Sequence, residues 1–74
     1  MSKVVITGWN EGFKKIAVTK LLREKVELPL YEAKDCVDRC LDGEIVTLEV
    51  ENIEVARAVV SAILQLNGIA KVEE

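Results

Sequence analysis

Histidine is absent from the 74 residues, and aromatic residues make up only 4% of them. The missing imidazole removes the commonest acid–base group and the commonest metal ligand. One Trp, one Tyr and one Phe leave no strand-borne aromatic pair of the kind on which single-strand binders stack bases. One Pro and four Gly are too few for a linker or a low-complexity tract. The abundance of Val, Ile and Leu excludes intrinsic disorder. No apolar run approaches the roughly 18–20 residues a membrane span needs. Two Cys are too few for a disulfide scaffold and fit a reducing compartment. Met1-Ser2-Lys3 leads directly into a strand-like run, which predicts no signal peptide and a cytoplasmic location.

Half of the residues are hydrophobic and 31% are charged, with 13 acids against 10 bases and a net charge of −3. That balance excludes a uniform polyanion-binding surface. The length predicts a single module over residues 1–74. So short a chain buries only about 60% of its unfolded surface, so some apolar surface is expected to meet a partner or a second copy.

Lys3-Val4-Val5-Ile6-Thr7 is β-branched and followed by Gly8, which predicts a strand, and Gly8 to Gly12 a loop. Residues from Phe13 to about Val26 have helical spacing, with Val18, Leu21 and Leu22 on one face and Ala17 on its flank. Pro29 interrupts and starts a second helix from about Leu30 to Leu41, in which Leu30, Ala33, Val37 and Cys40 recur at threes and fours and Asp42-Gly43 is the stop. Glu44 to Val50 alternates as a strand, with Val46, Leu48 and Val50 on one face. Asn52 is placed to cap a third helix from about Ile53 to Asn67, with Val55, Val59, Ile63 and Leu66 facing the core. Gly68 would end it, and Ile69 to Glu73 would close as a strand. A strand–helix–strand crossover leaves room for a middle strand. The expected fold is therefore α+β and two-layered, β-α-α-β-α-β. Its three-stranded sheet would have order 2-1-3, the first strand antiparallel to both others, and three helices on one face.

The residues that often carry chemistry read blandly. Cys36 and Cys40 are four apart on the second helix, with no second pair to complete a structural zinc site, and read as small buried hydrophobes. Glu11, Glu32, Asp35 and Asp38 read as a solvated acidic face rather than paired catalytic carboxylates. Gly8-x-x-x-Gly12 lacks the Gly-Lys-Ser/Thr ending of a phosphate loop. Trp9 either anchors a partner or lids the edge of the core. The expectation is a protein with no enzymatic activity, no cofactor and no metal.

Charge is unevenly distributed. Residues 1–39 hold eight bases and six acids, and residues 40–74 two bases and seven acids. On the first helix Ile16, Lys20 and Arg23 form a stripe pointing away from the core, where a merely wetted face would not place an isoleucine. A basic stripe with an apolar centre suits docking of an acidic amphipathic partner.

The run Lys15-Ile16-Ala17-Val18-Thr19-Lys20-Leu21-Leu22-Arg23, followed by Leu28-Pro29-Leu30-Tyr31-Glu32-Ala33-Lys34-Asp35-Cys36-Val37-Asp38, resembles the C-terminal domain of the bacterial ribosomal stalk protein (large-subunit protein seven/twelve). The match is clear over about residues 14–38; the rest agrees in element order. The resemblance implies the same β-α-α-β-α-β fold and a role in recruiting translation GTPases such as elongation factors Tu and G. It implies a partner-binding set of Ile16, Ala17, Val18, Thr19, Lys20, Arg23 and Lys34, although periodicity places Val18 inward. The family's dimerisation domain and hinge have no counterpart in these residues, so a stand-alone head is expected. The family's glycine-rich turn is here the stiffer Val26-Glu27-Leu28-Pro29. Val60 and Leu64 lie off the core-facing side of the third helix and suggest self-association, most simply a two-fold dimer. The alternative is an adaptor or regulator on a scaffold like that of Clp protease adaptors, unconnected with the ribosome. No membrane partner is expected, and nucleic acid is disfavoured.

Overall fold

The computed structural model describes residues 1–73. The chain forms β1 (Ser2–Trp9), α1 (Lys15–Lys25), α2 (Leu30–Leu41), β2 (Val46–Val50), α3 (Ile53–Gln65) and β3 (Gly68–Glu73). The sheet order is β2-β1-β3, with β1 antiparallel to both neighbours. β2 and β3 therefore run in the same direction, and α3 is the crossover between them. No helix among the described residues is long and apolar enough to cross a membrane.

Strand alternation sets the layers. Val4, Ile6, Val46, Leu48 and Val50 join Val18, Leu22, Ala33, Val37, Cys40, Ala56, Val59 and Ile63 in one core, while Lys3, Thr7, Thr47, Glu49, Lys71 and Glu73 on the opposite sheet face are exposed. α2 and α3 pack on the strands, and α1 packs on α2 and α3 rather than on a strand. α1 is thus the outermost element of the helical layer. Only one of its faces is needed for the core, through Val18 and Leu22.

Several boundaries are set by contacts distant in sequence. β1 continues through Gly8 and Trp9, where a loop was expected, because both residues pair with β3 beyond a register shift between Ile6 and Gly8. One extra residue in β1 there makes a bulge. Trp9 pairs with Gly68, and a Cβ at position 68 would stand 2.5 Å from Ile63 Cγ2 and 3.2 Å from Phe13 Cε1. Gly68 is therefore a close-approach glycine opening β3, not the end of α3. The left-handed residue after α3 is Asn67, at φ 67°. Its side-chain NH₂ donates to the Gly12 carbonyl (3.1 Å), and its carbonyl accepts from Asn10 N–H (2.8 Å). The other predicted signals hold. Asn52 caps α3 by accepting from Val55 N–H at 2.9 Å, and Gly43 ends α2 at φ 90°.

Trp9 sits at the core edge and is still 43% exposed. Its indole N–H donates to the Leu41 carbonyl at 3.3 Å, at the end of α2, and its ring lies 6.2 Å from that of Phe13, tilted by 50°. The contact ties the end of β1 to the end of α2.

Candidate functional site

Four residues, 26–29, connect α1 to α2. The turn is tight: Val26 and Leu28 N–H groups both donate to the Leu22 carbonyl (3.1 and 3.4 Å), and Glu27 takes φ 60°. A non-glycine residue in that left-handed conformation costs about 1–2 kcal/mol, which the packing of the two helices offsets. Pro29 stands at the N-cap of α2 with φ −58°, where its missing N–H does no harm.

An open groove of about 280 Å³ lies between the helices. From α1 it is lined by Lys15, Ile16, Thr19, Lys20 and Arg23, and from α2 by Leu30, Lys34, Val37 and Asp38. These positions recur at threes and fours along both helices, so the groove follows their length. Val37, buried, floors it, while Ile16 is 69% exposed and Leu30 48%. Thr19 donates its hydroxyl to the Lys15 carbonyl (2.8 Å). Lys15, Lys20, Arg23 and Lys34 make no ion pair within 4.0 Å among the described residues; the only pairs are those of Arg39. The site is an apolar strip rimmed by unneutralised cations.

No protein-family model matches the chain, and no curated protein matches it.

Of the expected partner-binding residues, the groove gathers Ile16, Thr19, Lys20, Arg23 and Lys34. Ala17 is half-buried and lines the adjoining depression with Lys14 and Lys15. Val18 requires correction: it is 1% exposed, sunk in the core with Leu22, and supports α1 from beneath instead of meeting a partner. Leu30 also departs from expectation, being a wall of the groove and not a core residue. Cys36 is buried beside Ala33, Val37 and Cys40, which centres the core arc of α2 away from Leu30. Cys36, read above as a buried hydrophobe, belongs to that arc, and counting it with Ala33, Val37 and Cys40 puts Leu30 at the border of the stripe. The contributions of Lys15, Val37 and Asp38 depend on how α2 lies against α1, and no sequence signal marks them.

The remaining candidates lie elsewhere. Val60 is half-buried and packs against the core. Leu64 is 51% exposed, which leaves it as the one large exposed apolar side chain on α3. Cys36 and Cys40 are free and buried. Burial raises both thiols above their ordinary value of 9.0, with nearby Arg39 opposing the rise at Cys36. The Cys40 thiol donates to the Gly8 carbonyl at 3.6 Å. Among the described residues, no three carboxylate or thiol side chains converge on one point.

Proposed function

We propose that this chain is a non-catalytic docking module that seats an acidic amphipathic helix of a protein partner in the α1–α2 groove. Following its resemblance to the ribosomal stalk head, the partner class is a translation GTPase in the cytoplasm. The reading rests on one observation: exposed Ile16 and Leu30 stand between four cations that have no acidic partner within the described chain. The division of labour follows from magnitudes. Complete burial of an isoleucine or leucine contributes about 1.5–3 kcal/mol, whereas an exposed ion pair contributes about 0.2–1 kcal/mol. Apolar contact anchors the partner, and charge accelerates encounter and rejects basic surfaces.

The test is titration of purified elongation factors Tu and G with the wild-type chain and with Lys20→Glu and Arg23→Glu. Each reversal weakens binding and shifts stability by no more than about 0.5 kcal/mol, as for other surface changes. Binding of a factor that is untouched by both reversals overturns the proposed site, and binding of neither factor overturns the proposed partner class.

A further inference from the structure

The sheet has two edges, and they differ. β3 carries Lys71 in mid-strand, a charge of the kind that guards an edge against further pairing. β2 reads Val-Thr-Leu-Glu-Val, with no lysine or proline, and its one charge, Glu49, is opposite Lys3 of β1. In an antiparallel pair alternate residues turn both N–H and C=O to the neighbouring strand, and the residues between them turn theirs outward. Among the described residues, no hydrogen bond outside the β1–β2 ladder reaches Val46–Val50. The outward backbone groups of β2 are therefore free to pair with another strand.

An open depression of about 490 Å³ lies beside this edge, between β2 and α2. Leu48 of β2 and Cys36 of α2, both buried, form its floor, and Cys36 makes no hydrogen bond among the described residues. Tyr31, 73% exposed, stands at its rim with Glu32, Asp35 and Arg39. Arg39 is already held between Asp35 and Glu44, and Glu32 has no cation within 4.0 Å among the described residues. Three carboxylates thus surround one guanidinium, and no other base lines the depression. None of the α2 residues that line the α1–α2 groove lines it either.

We infer that the β2 edge binds an extended basic peptide segment as a fourth strand, with one apolar side chain of that segment seated in the depression between β2 and α2. Strand addition supplies affinity through the main chain, and a pocket for alternate side chains supplies selectivity. Residues two apart in a strand share a face. Lysine or arginine two positions either side of the apolar anchor therefore projects toward the acidic rim. The site goes beyond the docking of a helix proposed above and is independent of it.

The peptide Thr-Lys-Thr-Val-Thr-Lys-Thr, blocked at both ends, tests this on the intact chain by NMR. Shift changes are expected across Val46–Val50, and hydrogen exchange is expected to slow at the alternate β2 amides that do not bond to β1. Replacing the peptide's valine with serine should weaken binding roughly tenfold. Glu32→Gln should weaken it roughly two- to fivefold, the size of an exposed ion pair. A peptide methylated on its backbone nitrogens should not bind. The proposal is overturned by equal binding of the methylated peptide, by equal binding of a peptide with glutamate in place of lysine, by changes centred on β3 or on the α1–α2 groove, or by no change at all. None of these results bears on the helix-docking reading, whose own test is the Lys20 and Arg23 reversals.

Discussion

α2 carries charge on two sides, and the two sides treat it differently. On one, Arg39 lies 3.8 Å from Asp35, one turn earlier, and 3.6 Å from Glu44 beyond the helix end. On the other, Lys34 faces the groove with Lys20 and Arg23, and none of the three has an acid within 4.0 Å among the described residues. The Arg39 side neutralises itself through a spacing that helix geometry supplies locally. The groove side leaves its cations unneutralised around exposed apolar residues. Arg39 alone among the bases is paired within the described residues, so what sets the groove cations apart is the exposed Ile16 and Leu30 that line the groove with them.

The comparison is broken most severely from beneath. Leu22 is fully buried under α1, so Leu22→Ala is expected to cost about 2–5 kcal/mol, read by urea denaturation. It should also weaken docking, because α1 loses its seat. Ile16→Ala acts on the opposite face of the same helix. Stability should remain within about 0.5 kcal/mol of wild type, while partner affinity falls roughly tenfold, or 1.4 kcal/mol. A matching loss of stability would place Ile16 in the core and remove the contrast. Arg39→Ala removes both exposed pairs of the self-neutralised side. It should lower the urea midpoint by the equivalent of no more than about 1 kcal/mol, less at high salt, and leave partner affinity unchanged.

The smallest effect concerns the buried side of α2. Burial raises the Cys40 thiol above its ordinary 9.0, so the folded chain disfavours the thiolate. The associated stability is fully present below about pH 9 and is lost as pH rises through the raised folded value. Stability should decline shallowly in that alkaline range. Cys40→Ala should flatten the decline whatever its effect at neutral pH.

Much of this organisation was legible in the sequence. The helical spacing, the Pro29 start and Gly43 stop of α2, and the Asn52 cap are local signals. The strand order followed from the crossover rule. Ile16, Lys20 and Arg23 were assigned to an outward stripe by periodicity alone, and all three line the groove. The misreadings have non-local causes. Gly8 and Trp9 extend β1 only because β3, some sixty residues away, offers a register-shifted edge. Leu30 leaves the core because Cys36, with Ala33, Val37 and Cys40, fills the interface under α2. Val18 is the residue for which periodicity, which turned it inward, and the family resemblance, which offered it to a partner, disagreed; burial favours the periodicity.

The central strand is the first to be translated. Ser2 is opposite Val50 and Lys3 is opposite Glu73, so β1 emerges long before either neighbour exists. At about 5–20 residues per second, synthesis leaves it without its first partner for roughly two to nine seconds, and without β3 for longer. During that interval Val4, Val5 and Ile6 are available to any other extended chain nearby. Production yield should therefore be more sensitive to the pace of translation between β1 and β2 than to changes on the outer face of α1.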